Sequence, residues 1–425
     1  MMRVLILADQ CNPEWPSLPV VGYKAARAIA DHADVVVVTH VRNRANIEKV
    51  GFGRAIVHYV DNEYVARRLW KFATWLRGGT HIAWTTAIAL SYPSYLAFEW
   101  EVWKSFRGEL RGGRFDVVHR ITPMSPTLPS PMAKWSPIPF VLGPLNGGLK
   151  WPQVFRAELV ARERDWLSYV RSAYRAFPFH GASYARSAAV LAAFQHTIDD
   201  LPRKARARVV EFPEIGVDPD VFGKVAERPC SKRRTILFVG RLVPYKLPQV
   251  VVRAFADCPA LRGHRLVIVG EGPERAAIEA LIQSRGLGNE VEMLGWKTQA
   301  EVAALMRDAD IFAFPSIREL GAGAVVEAMA CGLACVVVDY GAPARLIDAD
   351  RGIKVAVGSH EELARSFGEA LERLVSDEHT IRRLGAAARE HAMRFYCWDV
   401  KAKKMLKVYE WALGRGAAPD FWSIE

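Results

Sequence analysis

Two carboxylates, Glu319 and Glu327, stand eight residues apart within the stretch from Asp310 to Arg345. If the residues between them are mostly helical, a rise of about 1.5 Å per residue separates the two groups by roughly 12 Å. A glycosidase pair needs carboxyl groups about 5–10 Å apart, so this spacing is too wide for that chemistry. It suits the two hydroxyl-bearing ends of one long ligand with an anionic group between them.

Small residues fill the interval between the two carboxylates. They are Gly321, Ala322, Gly323 and Ala324. Their backbone N–H groups open a predicted helix, where an anion is favoured. The pattern predicts a sugar at Glu319, a ribose at Glu327 and a diphosphate over the helix start. The alternative for the carboxylates alone is a loop charge and a solvated helix residue.

The elements that must position these residues follow from the hydrophobic pattern. Ile311 to Phe314 is an apolar run with the length of a buried strand, and a Pro-Ser pair ends it. Ala324 to Cys331 is predicted as a helix that stops at Gly332. Ala334 to Val338 is the next strand, uninterrupted and apolar, as is typical of a parallel sheet covered on both faces.

Two cations follow another apolar run, Thr235 to Val239. Arg241 comes directly after Gly240 at the predicted strand end, and Lys246 lies in the loop before a helix from about Leu247. An arginine fork and a lysine point charge at a strand end beside a helix start can neutralise a diphosphate. The alternative is a pair of solvated loop cations.

The Glu-x7-Glu spacing is followed by Ala-Met-Ala-Cys-Gly. This pattern resembles the donor-site signature of the retaining GT-B glycosyltransferases of family 4, the glycosyl transferases group 1. The resemblance implies that Glu319 contacts the donor sugar and that Glu327 contacts the ribose. It also implies that Arg241 and Lys246 hold the diphosphate.

Further donor contacts are expected at glycines near strand ends, because glycine permits close approach of the backbone to a ligand. The resemblance also implies that the base is read, largely through the main chain, just after the strand from Val291 to Leu294. The residues assigned to donor binding in these ways are Gly147, Gly148, Gly240, Gly270, Gly272, Trp296 and Lys297.

The N-terminal part of the chain begins as a doubly wound α/β domain. Val4 to Ala8 and Val35 to Thr39 are apolar runs of strand length, and Gly22 is predicted to open the helix between them. Phe115 to His119 is a further buried strand. Because ligands bind outside the carboxyl ends of such strands, His119 is predicted to reach the cleft as a catalytic candidate. The alternative, of equal weight, is a structural histidine at a strand end.

A chain of 425 residues is too long for one core and predicts two domains of about 200 residues. The resemblance implies two Rossmann-like, doubly wound domains that face a cleft, with a C-terminal helix returning to the first domain. We predict an acceptor-binding domain over 1–212, a donor-binding domain over 213–396 and the returning helix over 397–425. Pro213 to Asp218 resembles the interdomain hinge of the family.

The formal net charge of +11 predicts an anionic partner. No nucleic-acid-binding motif is found, which favours an anionic membrane surface or a phosphorylated, lipid-linked acceptor. Tryptophans interleave with Arg67, Arg68 and Lys71 between about Asn62 and Arg114, and a second basic, aromatic helix is predicted from Arg156 to Arg175. The first segment is too polar to span a membrane but suits an interfacial surface. The alternative is helical packing onto the sheet.

No metal site and no resident cofactor are predicted. The six cysteines show no paired metal spacing, and no Asp-x-Asp motif is visible. A UDP- or GDP-linked sugar would therefore enter as a co-substrate. Because Met1 runs almost directly into a strand-like segment, no signal peptide is expected and a cytoplasmic compartment is the default.

The predicted function is sugar transfer with retention at the anomeric carbon, from a nucleotide-diphospho-sugar to a glycan or lipid-linked acceptor. A role in bacterial surface polysaccharide synthesis is expected. Two other classes stay open. A nucleotide-sugar epimerase has the same architecture, and a non-catalytic partner in polysaccharide assembly would bind nucleotide weakly or not at all.

Overall fold

The computed structural model of the chain describes residues 1–63, 84–156, 173–224 and 233–423. These residues form two compact units. Unit 1 comprises the described residues of 1–148, 173–214 and 398–423. Unit 2 comprises 149–156 and the described residues of 215–397. Each unit therefore includes a short segment that is distant in sequence from its main part.

Each unit is built around one sheet of parallel strands. In chain order the strands are β1 Arg3–Ala8, β2 Asp34–His40, β3 Ile56–Val60, β4 Val117–Thr122, β5 Phe140–Leu145, β6 Ala189–Ala192, β7 Val209–Glu211, β8 Thr235–Val239, β9 Arg265–Val269, β10 Val291–Gly295, β11 Ile311–Phe314, β12 Ala334–Val338 and β13 Gly352–Val355. Unit 1 has the order β3-β2-β1-β4-β5-β6-β7, and unit 2 has the order β10-β9-β8-β11-β12-β13. Both orders reverse beside the first strand of the unit, as in doubly wound sheets. The predicted fold class is confirmed.

Helices connect successive strands. In chain order the α-helices are α1 Leu18–Ala30, α2 Arg44–Val50, α3 Trp84–Arg111, α4 Met132–Trp135, α5 His180–Ala185, α6 Gln195–Asp200, α7 Pro219–Phe222, α8 Pro248–Asp257, α9 Arg275–Ser284, α10 Gln299–Asp308, α11 Gly323–Ala330, α12 Gly341–Leu346, α13 His360–Val375, α14 Glu378–Tyr396 and α15 Trp398–Ala412. Short 3-10 helices cover Val41–Asn43, Ala173–Ala176, Arg203–Arg208, Pro244–Lys246 and Pro259–Leu261. No described helix combines the length and the apolar character that a membrane crossing requires.

Helix α1 starts earlier than the sequence predicted. It begins at Leu18, with a proline in its first turn, and Gly22 lies inside it. A Cβ atom at Gly22 would overlap the backbone oxygen of Gln10. The glycine therefore lets the helix pack against the loop that follows β1, and its predicted role as the helix start is wrong.

Strand β4 continues to Thr122, so the prediction that this strand ends at His119 is wrong. The charge of Arg120 does not end the strand, because its buried guanidinium donates to backbone oxygens. The acceptors are Leu128 at 2.6 Å and Pro123 at 2.8 Å. Buried charges need such partners, and hydrophobicity alone does not predict them.

Helix α15 packs within unit 1 against α1, β5 and β6. Its Tyr409 hydroxyl lies 2.7 Å from Nδ1 of His119. Its Lys401 is buried, donates to the backbone oxygen of Pro213 and lies 4.5 Å from the ring centre of Phe212. The predicted return of a C-terminal helix to the first domain is confirmed.

The segment 149–156 differs from the domain boundaries expected from the sequence, because it packs with unit 2 rather than unit 1. The Tyr340 hydroxyl donates to the backbone oxygen of Lys150 at 2.7 Å. The ring of Phe155 lies 5.0 Å from that of His360. Most of the helix predicted from Arg156 to Arg175 lies outside the described residues, as do Arg67, Arg68 and Lys71.

Candidate functional site

The point where the strand order of unit 2 reverses lies between β8 and β11. Loops that follow the carboxyl ends of such neighbouring strands form the usual ligand-binding crevice of doubly wound sheets. Here the Ile317 amide of the β11 loop donates to the backbone oxygen of Tyr245 in the β8 loop at 3.0 Å, and the Ser316 hydroxyl oxygen lies 3.4 Å from the same atom. The sheet therefore holds the predicted cations and the first predicted carboxylate next to each other.

Lys246 and Glu319 form an ion pair across these two loops. The Nζ atom of Lys246 lies 2.5 Å from Oε1 of Glu319, and both side chains are largely buried, with 13% and 15% of their surface exposed. The Ser316 hydroxyl donates to the same carboxylate oxygen at 3.1 Å. The ammonium also lies 4.8 Å from the ring centre of Phe314, where a cation is favoured. These contacts fix both charged groups at the reversal point.

Arg241 is positioned by the same loop. Its Nη2 atom donates to the Tyr245 hydroxyl at 2.7 Å, and the side chain stays exposed. An oriented and accessible guanidinium can still bind an anion through its other N–H groups. Arg241 therefore adds a second positive charge beside Lys246.

Helix α11 begins directly after the loop that carries Glu319. It starts at Gly323, one residue earlier than predicted, and Ala322 before it has a left-handed conformation with φ of 53°. No side chain caps the first turn. The amides of this turn therefore add partial positive charge near the site. Glu327 lies in the second turn, with Oε1 at 3.5 Å from Nε2 of Gln299.

The predicted glycines of unit 2 have a clear packing role. A Cβ atom at Gly270 would overlap the backbone oxygen of Gly240, and one at Gly272 would overlap that of Leu242. At Gly240, an added Cβ would lie 3.2 Å from Cδ of Lys246. These glycines let the loops after β8 and β9 pack closely, which brings Lys246 to its place.

Trp296 and Lys297 follow β10 at the same edge of the sheet. The Trp296 ring is 69% exposed, an unusual amount for a large apolar side chain. Lys297 lies 3.5 Å from Glu301 in α10. Both residues are thus accessible on the loop where the sequence predicted base recognition.

Three predicted residues belong to unit 1. Gly147 exchanges hydrogen bonds with the Thr197 hydroxyl through its amide at 3.2 Å and its carbonyl at 2.9 Å. Gly148 has φ of 76°, and a Cβ there would lie 2.7 Å from Cβ of Asp200. Both glycines therefore fit the chain against α6.

His119 is also in unit 1, and its side chain is fully buried. Its Nδ1 atom is bonded to Tyr409, and its Nε2 atom lies 2.7 Å from the backbone oxygen of Gly143. Burial lowers the pKa of His119 to about 4, so the ring is neutral near pH 7. Both ring nitrogens are used inside the protein, which favours the structural alternative over the catalytic one.

The sequence did not single out Tyr245 or Ser316 as site residues. Both lie beside residues that it did identify, since Tyr245 precedes Lys246 and Ser316 lies three residues before Glu319. Their roles depend on the pairing of the two loops, which only the sheet order reveals. Among the described residues, no group of three or more His, Cys, Asp or Glu side chains could hold a metal ion.

Comparison with known proteins shows which family and which fold the chain resembles. Residues 224–391 match the family model described as "Glycosyl transferases group 1". A D-inositol 3-phosphate glycosyltransferase from Mycobacteroides abscessus is 34% identical over 225 residues, which cover 50% of this chain and 48% of that protein. The chain thus spans about half the length of the curated relatives it matches.

Two solved structures resemble almost the whole chain. A sucrose-phosphate synthase from Thermosynechococcus elongatus has a TM-score of 0.67 at 18% identity, covering 96% of this chain and 98% of that chain. The Anabaena protein Alr3699/HepE in complex with UDP and glucose has a TM-score of 0.62 at 15% identity, covering 96% and 99%. The chain therefore has the GT-B fold, and its residues 224–391 match the family model of the glycosyl transferases group 1.

Proposed function

We propose that this protein is a retaining glycosyltransferase that moves a sugar from a nucleotide-diphospho-sugar to a glycan or lipid-linked acceptor. The observation that carries the proposal is the ion pair between Lys246 and Glu319, whose Nζ and Oε1 atoms lie 2.5 Å apart. The pair lies where the strand order reverses in the region that matches the group 1 family model. A sugar nucleotide has hydroxyl groups beside an anionic diphosphate, and this pair presents a carboxylate beside a cation. The site thus matches the one part of the donor that every sugar nucleotide has in common.

The proposed role of the cations is to stabilise the leaving group. During transfer, the bond between the anomeric carbon and the diphosphate oxygen breaks, the acceptor hydroxyl oxygen forms a new bond on the same face, and the hydroxyl proton passes to the departing diphosphate. The departing diphosphate gains negative charge, which Arg241, Lys246 and the first-turn amides of α11 face. Fixed groups of this kind lower a barrier by several kcal/mol because they need no reorganisation during the reaction.

Glu319 and Glu327 are proposed to orient the donor. Glu319 accepts hydrogen bonds from the sugar hydroxyls, and Glu327 accepts them from the ribose. Correct orientation is itself a large part of catalysis, and no covalent nucleophile is assigned. We further propose that the side-chain cations supply the positive charge without a divalent ion, so turnover should persist in EDTA.

The proposed acceptor is a phosphorylated, lipid-linked glycan of a bacterial surface polysaccharide. The net charge of +11 supports an anionic acceptor, and the related D-inositol 3-phosphate glycosyltransferase is named for a phosphorylated one. The exposed Trp100 packs edge-on against Trp135, with ring centres 5.6 Å apart, and offers an aromatic surface of the interfacial type. We propose action at the cytoplasmic face of the membrane.

The decisive experiment is a screen of UDP- and GDP-linked sugars with the full chain, with and without candidate acceptors. Acceptor-dependent release of nucleoside diphosphate, with an α-linked product from an α-linked donor, supports the proposal. A changed sugar nucleotide in the absence of acceptor would identify an epimerase. If calorimetry detects no binding of UDP or GDP, the protein is a non-catalytic partner.

The membrane proposal has its own test. Vesicles that contain anionic lipid should bind the wild type, and replacement of Arg67, Arg68 and Lys71 by glutamine should weaken that binding. Neutral vesicles serve as the control. Equal binding of the variant and the wild type would contradict the interfacial role of this segment.

A further inference from the structure

Segment 149–156 reaches the candidate donor site although it lies outside the matched family region, which begins at residue 224. Its Trp151 side chain is 7% exposed and packs within unit 2. The Arg318 guanidinium carbon lies 3.9 Å from the centre of the Trp151 ring. Arg318 directly precedes Glu319, so the ring holds the loop that carries the proposed sugar-binding carboxylate.

Trp151 also contacts the loop after β8, which carries Arg241 and Lys246. Its ring centre lies 6.4 Å from that of Tyr245, in an edge-to-face arrangement. Tyr245 in turn accepts the hydrogen bond from Arg241. One buried ring therefore contacts both halves of the proposed donor site, the β8 loop through Tyr245 and the β11 loop through Arg318.

The segment itself is fixed from the side of β12. Tyr340 follows that strand and holds Lys150 through its hydroxyl. The neighbouring Gly341 has φ of 63°, and a Cβ there would lie 2.7 Å from the Glu319 backbone oxygen and 2.9 Å from Cδ2 of Leu149. Three chain segments thus meet tightly around the backbone of Glu319.

We propose that Trp151 is a positioning residue of the donor site, which keeps Glu319 and Arg241 aligned for transfer. This inference rests on the proposed glycosyltransferase function. The ring acts by stacking, because an arginine over an aromatic face is attracted to it and two packed loops have less freedom to move. The indole Nε1 atom has no hydrogen-bond partner in the described structure, so the N–H group is not what holds the loops.

The test compares W151A and W151F in the full chain, with a sugar nucleotide that the wild type uses. W151A should lower kcat at least tenfold and change KM for the donor less than threefold, because the loss is one of alignment. W151F retains an aromatic face and should stay within about threefold of the wild-type kcat. Affinity for UMP or GMP, measured by calorimetry, should be unchanged because these ligands lack the second phosphate.

Phe155→Ala is the matched control. Phe155 is buried in the same segment, and its ring packs edge-on against that of His360 at the start of α13. This variant should lower Tm at least as much as W151A while kcat stays within threefold. If kcat simply followed Tm across these variants, or if W151F were as slow as W151A, the positioning role would be wrong.

A double-mutant cycle tests the contact with Arg318 directly. R318A should slow turnover, and W151A/R318A should lose less than the product of the two single losses, because the ring holds the β11 loop through Arg318. Independent, multiplicative losses would overturn the inference. If the wild type turned over no sugar nucleotide, the proposed function itself would be refuted. If the wild type were active and W151A had the same kcat, only the role of Trp151 would be refuted.

Discussion

Replacing Lys246 by alanine should remove the largest single contribution to leaving-group stabilisation. The substitution deletes a largely buried ammonium 2.5 Å from Oε1 of Glu319, and that oxygen then keeps its hydrogen bond from the Ser316 hydroxyl at 3.1 Å. Loss of one preorganised charge-stabilising group typically lowers kcat by about 10²–10³-fold, or about 3–4 kcal/mol. We expect K246A to fall in this range, with a smaller change in KM for the donor.

Because Lys246 and Glu319 form an ion pair, the effects of replacing them on kcat should not be independent. E319A should slow turnover as well, because the sugar hydroxyls lose their acceptor. Each single substitution leaves one charge without its partner in a site that is mostly shielded from water, which adds a penalty of about 1–3 kcal/mol. The double variant K246A/E319A removes both charges, so its loss should be smaller than the product of the two single losses.

Steady-state kinetics with the identified donor, together with calorimetry of UDP or GDP, would measure these effects. Lys354→Ala is a control for the loss of a lysine–carboxylate pair, because Lys354 of β13 forms a more exposed ion pair with Asp339 at 3.0 Å. It should change kcat less than twofold. The reasoning would be refuted if K246A kept kcat within threefold of the wild type, or if the two single losses were fully multiplicative.

Three further substitutions test the packing within the two units. Gly270→Ala should lower the free energy of unfolding by about 1–3 kcal/mol, because φ is 138° and the new Cβ overlaps the Gly240 carbonyl. Gly263→Ala is the control: its φ is also positive but the space around it is open, so the free energy of unfolding should fall less in the same urea titration. Burial lowers the pKa of Lys401 from 10.5 to about 7, so unfolding binds a proton between these values. Wild-type stability should therefore fall by up to about 1.4 kcal/mol per pH unit as pH drops from 10.5 to 7, and K401M should flatten that slope in urea titrations at pH 7 and 9. His119→Gln should lower Tm by several degrees, whereas kcat measured well below Tm should stay within threefold of the wild-type value. A larger loss of kcat would support the catalytic role of His119.

The second unit was the part of the fold that the sequence predicted best. Strands β11 and β12 have the predicted bounds, Ile311–Phe314 and Ala334–Val338, because buried parallel strands are uninterrupted apolar runs. The adjacency of Lys246 and Glu319 also follows from strand order, once β8 and β11 are neighbours. The apolar pattern and the strand order are sufficient to predict such features, because every doubly wound sheet has them.

Features that depend on tertiary contacts could not be predicted in this way. Arg120 lies in the middle of β4 because carbonyls of the loop that follows the strand accept its N–H groups, and the hydrophobic pattern does not encode how that loop folds back. Gly22 lies inside α1 because another loop approaches its backbone. Trp151 was not identified because it is far in sequence from the loops that it contacts. In each case the determining contact is made by residues outside the element itself.

The place of α15 in unit 1 also governs the order in which this chain can fold during synthesis. The buried His119 bonds to Tyr409, and the core around Phe212 includes Lys401. Unit 1 is therefore incomplete until residue 412 has left the ribosome, whereas most of unit 2 is available earlier. Nascent chains that end before α15 should expose apolar surface of the first sheet, which makes that unit the natural client of a chaperone.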